Sequence, residues 1–153
     1  MSGVQPTAGQ GSRMSEIDAL YARFYGPLTV LMAVLTLLPY HAPRPDSTRV
    51  HGNIWQEVAR NAHSIDIASM LVLLVFVVLM TFATLGKLPP GGLVAITVCA
   101  LLIAIVLWQS PGYHEKPPFT SAGIVDIVMS CAVAALTLTH AVHVLIASHS
   151  RSR

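Results

Sequence analysis

Apolar and polar positions alternate along this chain in long blocks. One such block, Ile67 to Leu85, is uncharged and holds no Gly and no Pro. At about 1.5 Å per residue, a run of this length crosses a hydrocarbon core of about 30 Å as a helix. Apolar residues occupy both parities of the run, so it does not read as an alternating strand. A lone strand in lipid would also leave its backbone groups unsatisfied, whereas a helix satisfies its own. The block therefore predicts a membrane helix.

Upstream, Met1 to Arg13 is small, polar and Gly-rich, which predicts a flexible tail over 1–14. It lacks the apolar stretch of a signal peptide. Ser15 followed by Asp18 has the spacing of a capping box. Ile17, Leu20, Tyr21, Phe24 and Leu28 then recur at helical intervals. Asp18 and Arg23 predict an interfacial start, Gly26-Pro27 permits a kink, and the uncharged stretch 24–40 is the first predicted span. It is short, and the tyrosines at its two ends are expected to anchor it at the interfaces.

A polar loop leads to Asn53, whose spacing to Gln56 predicts a helix cap. Ile54, Trp55, Val58, Ala62 and Ile65 form one apolar stripe. This predicts an amphipathic helix running straight into the second span. A helix from Asn53 to Leu85 would be about 50 Å long and would stand several turns out of the membrane. Gly86 occupies the usual place of a left-handed residue closing a helix. The remaining apolar runs predict spans at 92–108 and 122–147. The fold class is thus an all-α bundle of four transmembrane helices (24–40, 65–85, 92–108, 122–147) in one domain, 15–153, with a short amphipathic extension before the second.

Composition supports this class. Of 153 residues, 54% are hydrophobic and only 10% charged, against about a quarter charged in soluble domains. A net charge of +2 does not suggest a nucleic-acid partner. Cys99 and Cys131 fall in apolar runs and are expected to be small core residues without a disulfide. An even number of spans places both termini on one side, with Arg13, Arg23, Lys87, Arg151 and Arg153. Arg44, Arg49, Arg60 and Lys116 fall on the other. The bias predicts a plasma-membrane protein with both termini cytoplasmic.

Candidate chemistry concentrates in the last span. Asp126, Ser130, Thr137 and His140 fall within a sector of about 80° on a helix, beside Gly123, Ala134 and Ala141. Such a stripe is expected to be a packing face, with small residues allowing close approach and hydroxyls bonding across. Its sharper reading is a proton path using Asp126 and His140. His140 and His143 have the i, i+3 spacing of a shared metal or haem ligand pair, with Met80 at a matching depth. No third acidic or histidine ligand is expected near them. His41, His51, His63 and His114 fall in or near the outer loops at irregular spacing, and His63 is spaced to pair with Asp66. No phosphate loop, dinucleotide fingerprint or nucleophile elbow is present. The sequence assigns no catalytic, cofactor-binding or metal residue, no cofactor and no small-molecule substrate.

The flexible start, the loop Tyr40-His-Ala-Pro-Arg-Pro-Asp-Ser47, the loop Ser110-Pro-Gly-Tyr-His-Glu-Lys-Pro-Pro118 and the Ala/Val-rich spans have a recognisable layout. It resembles that of the small four-helix accessory subunits of the actinobacterial respiratory supercomplex, in which a cytochrome bcc complex joins a cytochrome c oxidase. The resemblance implies a subunit with no redox centre of its own, surrounded by lipid and packed against oxidase subunits.

Overall fold

The computed structural model describes residues 8–43, 52–61, 64–86, 88–109 and 117–149, with the side chains of 8–15, 61 and 64–66 left aside. They form five helices: α1 (Ala8–Leu35), α2 (Ile54–Asn61), α3 (Ser64–Thr84), α4 (Pro90–Gln109) and α5 (Ser121–His149). No strand occurs among the described residues. Helices α1, α3, α4 and α5 pack as a ring, each touching two neighbours, and neither diagonal pair is in contact. Tyr25, Met32, Phe76, Met80, Ile96 and Val133 fill the axis.

Among the described residues three helices, not four, are long and apolar enough to cross a membrane: Ile67–Thr84, Pro90–Gln109 and Ser121–His149. The predicted first span falls short for a physical reason. Helix α1 ends at Leu35, and its uncharged part from Phe24 is 12 residues, about 18 Å of helix. The helix also begins at Ala8, ahead of the capping box predicted at Ser15 and inside the predicted tail. It runs through Gly26-Pro27, with Pro27 inside the helix.

The long helix predicted from Asn53 to Leu85 is replaced by two elements. Helix α2 ends at Asn61 and α3 begins at Ser64. In one straight helix Ile54 and Ala68 would lie about 21 Å apart, yet both line a single cavity. Helix α2 therefore lies across the end of the bundle. The Trp55 indole N–H donates to Thr36 Oγ1 at 3.1 Å, and the Asn53 amide donates to the Leu37 carbonyl at 3.0 Å. The local signals around α2 and α3 are as expected. Asn53 Oδ1 accepts from the Gln56 backbone N–H at 3.0 Å while Gln56 Oε1 accepts from that of Asn53 at 3.3 Å, a reciprocal cap. Gly86 has φ 64° and receives the chain in the left-handed region as α3 ends. Cys131 departs from expectation, being exposed on the outward face of α5.

At the other ends of α1 and α5 from their N- and C-termini, respectively, the two connections are joined. The Ala42 N–H donates to the Pro118 carbonyl at 2.9 Å, and the Thr120 N–H to the Tyr40 carbonyl at 3.0 Å. Thr120 Oγ1 donates to the Pro39 carbonyl at 2.6 Å and accepts from the Gly123 N–H at 3.1 Å, capping α5. Gly123 is required here. A Cβ on it would stand 2.5 Å from the Tyr40 carbonyl oxygen. Gly123→Ala should cost about 1–3 kcal/mol of stability, whereas Gly91→Ala, where a Cβ meets nothing within 4 Å, should be neutral or gain up to about 1 kcal/mol. Unfolding of both variants in mixed micelles checks the contrast.

Candidate functional site

The polar stripe of α5 faces inward. Asp126, Ser130, Thr137 and His140 are all buried, together with Gly123, Ala134 and Ala141. The opposite side presents Ile124, Val128, Leu138, Val142, Leu145 and Ile146 to the outside. This inverts the usual soluble pattern, and the reason is solvation. Polar groups facing hydrocarbon have no partner, so they turn towards other helices.

At one end His140 is fully engaged. Its Nε2 lies 3.0 Å from Asp18 Oδ1, and its Nδ1 lies 2.9 Å from the Tyr25 hydroxyl. The Tyr21 ring stacks on the imidazole with centroids 4.1 Å apart, and the Tyr21 hydroxyl reaches Nδ1 of His143 at 2.8 Å. An ionised carboxylate only accepts, so Nε2 donates to Asp18. A neutral imidazole then accepts from Tyr25 at Nδ1, and a protonated one donates at both nitrogens. His140 is 8% exposed and Asp18 35%, so the pair lies at the edge of the core. Asp18 and the two tyrosines come from successive turns of α1, a spacing of three and four residues that puts them on one face.

This corrects the expectation that His140 has no acidic neighbour. It also bears on the haem reading. Both ring nitrogens of His140 are in hydrogen bonds and one face is covered, so ligating iron would require breaking at least one bond. Met80 lies in the apolar core among Tyr25, Phe76 and Ala83. No group of three or more His, Cys, Asp or Glu suited to a metal occurs among the described residues.

In the middle, Thr137 Oγ1 and Thr97 Oγ1 are 2.8 Å apart and tie α5 to α4. Each also donates within its own helix, Thr97 to the Leu93 carbonyl at 3.0 Å and Thr137 to the Val133 carbonyl at 2.9 Å, alternatives for a single hydroxyl proton. At the far end Tyr40 is buried close to Asp126, and the two line one groove. Tyr40 arrives there because the paired connections and side-chain-free Gly123 seat its backbone against α5 three residues before Asp126. The tyrosines expected at the membrane interfaces are thus buried, Tyr25 0% and Tyr40 8% exposed, and serve as partners of α5.

Two polar atoms on the stripe have no hydrogen-bond partner: Asp126 Oδ1 and Ser130 Oγ. Asp126 and His140 are about 21 Å apart along the helix. Between Ser130 and Thr137 lie buried Val133 and Ala134, in the same apolar cluster as Phe76 and Met80. These apolar residues separate the polar groups at the two ends of the stripe. Beside Asp126 a groove of about 160 Å³ opens between α3, α4 and α5. His51, His114 and the proposed His63–Asp66 pair lie outside the described side chains. The His41 ring packs against Phe119 in a tilted arrangement, with centroids 5.1 Å apart.

No family model, no curated protein and no solved structure matches this chain. The geometry carries its own expectations. Tyr25→Phe leaves buried His140 Nδ1 without its hydroxyl and should cost about 1–3 kcal/mol. Thr137→Val should cost less than about 1 kcal/mol, because Thr97 retains the Leu93 carbonyl. Equilibrium unfolding of the two variants side by side measures the difference.

Proposed function

We propose that this chain is a non-catalytic helical subunit of a larger plasma-membrane assembly, and that its membrane domain has four spans. The observation that carries the reading is where the polar side chains of α5 are used. His140 and Thr137 are bonded to α1 and α4, and Asp126 lies against Tyr40 of the segment after α1, so the polar groups sit where helices join. Packing is then the mechanism: a preassembled bundle offers rigid apolar faces to neighbouring helices.

The fourth span is argued from register. Asp18 and Tyr25 of α1 meet His140 near one end of α5, while Tyr40 meets Asp126 near the other. Helix α1 and its C-terminal turn therefore run beside α5 over about 21 Å, from His140 to Asp126. Its charge at Asp18 points into the bundle, and Leu20, Phe24, Val30, Leu31 and Val34 are exposed along its outer side. With α1 spanning, the termini share one side, and the balance of Lys and Arg supports a cytoplasmic location.

Layout resemblance makes the respiratory supercomplex, with cytochrome c oxidase subunits as neighbours, the first assembly to test. Tagged chain extracted from its native membrane in digitonin should co-migrate on a native gel with oxidase subunits, in near-stoichiometric amounts by mass spectrometry. Recovery as a lone species contradicts a subunit role. Recovery with an unrelated membrane complex keeps the role and removes the respiratory assignment.

A further inference from the structure

We propose that Tyr25 is a one-electron donor to a high-potential metal oxidant, and that its hydroxyl proton passes to His140 Nδ1 as the electron leaves. A phenol that loses an electron becomes a strong acid at its hydroxyl. Tyr25 is 0% exposed, in one cluster with Phe76, Met80 and Ala83, so solvent does not reach its oxygen to take that proton. A base within hydrogen-bond reach is therefore required. His140 Nδ1 is that base, 2.9 Å from the Tyr25 hydroxyl. Its Nε2 lies 3.0 Å from Asp18 Oδ1, and a neutral imidazole that donates at Nε2 accepts at Nδ1. The Tyr21 ring, stacked on the imidazole with centroids 4.1 Å apart, fixes its plane.

The step balances on Tyr25, His140 and Asp18. The Tyr25 O–H bond breaks and an N–H bond forms at His140 Nδ1. The electron goes to the metal oxidant, which is reduced by one electron. A neutral phenoxyl remains on Tyr25 and an imidazolium on His140. The new positive charge appears beside the Asp18 carboxylate, which is 35% exposed at the edge of the core, so it is paired where it forms. Return of an electron reverses both transfers. The other described tyrosines lack part of this arrangement. Tyr21 meets His143 Nδ1 at 2.8 Å, but that bond is exposed, and no carboxylate is bonded to His143 among the described residues. Tyr40 has no imidazole bonded to its hydroxyl among them. The inference rests on the His140 contacts and does not depend on the subunit reading.

A ruthenium tris-bipyridine label on Cys131 supplies the oxidant in a flash–quench experiment on the full chain in detergent. Cys131 is exposed and about 14 Å along α5 from His140, and Cys99→Ala confines the label to it. Transient absorption and electron paramagnetic resonance read the phenoxyl. The labelled chain should form one, Tyr25→Phe should abolish it, and Tyr40→Phe should leave it unchanged. His140→Gln should slow its formation about a hundredfold, the low end of what a positioned base contributes. Far-UV circular dichroism confirms that each variant is folded. High-field resonance of the labelled chain needs no substitution in the site: the proton kept on His140 Nδ1 bonds the phenoxyl oxygen and lowers the radical's largest g value. No phenoxyl although ruthenium(III) forms, a phenoxyl retained in Tyr25→Phe, equal rates in His140→Gln, or the g value of an unbonded phenoxyl would overturn the proposal.

Discussion

A helix that carries a histidine and an aspartate through hydrocarbon must find partners for both, because water is not available to hydrate them there. In this protein the partners come largely from the first helix and the turn that follows it. Asp18, Tyr21 and Tyr25 gather around His140, and Tyr40 reaches Asp126. The depth and rotation of α1 against α5 follow from these two contacts. Once they are set, Thr97 and Thr137 meet between α4 and α5, and the apolar axis of Phe76, Met80, Ile96 and Val133 closes inside the ring. Apolar side chains gain little from leaving lipid for a bundle interior that is equally apolar, so packing and hydrogen bonds carry the specificity.

The two ends of α5 differ in kind. At His140 every ring nitrogen is used, and the stacked Tyr21 ring fixes the imidazole plane. That end is a saturated joint. At Asp126 one carboxyl oxygen is buried without a hydrogen-bond partner, and the residue borders a mainly aliphatic groove. The difference has a backbone origin. Gly123 and the paired connections draw Tyr40 to one side of Asp126, leaving the other side to α3 and α4, which offer aliphatic side chains.

Much of the fold was legible because it is local. Uncharged runs outline α3, α4 and α5, the Asn53–Gln56 spacing marks the cap of α2, and Gly86 marks the end of α3. The inward stripe of α5 was legible from its angular spacing. The partners of that stripe were not. Asp18 and His140 are 122 residues apart, and periodicity within one helix does not say which other helix it faces. Tyr25 and Tyr40 sit where interfacial anchors normally do, so position alone pointed to the wrong role. The break before α3 was hidden for another reason. An amphipathic stripe looks the same whether its helix continues straight or lies across the bundle, and only the Trp55–Thr36 and Asn53–Leu37 contacts distinguish the two.

The central claim is that α1 is held in register by α5 through a specific pair and not by apolar contact alone. A double-mutant cycle on Asp18→Asn and His140→Gln, measured by unfolding of the full chain in mixed micelles, tests it most directly. The account predicts a coupling of about 1–3 kcal/mol, the range of a hydrogen bond to a charged group. A coupling within about 0.3 kcal/mol of zero, the level at which independent sites are additive, would contradict it.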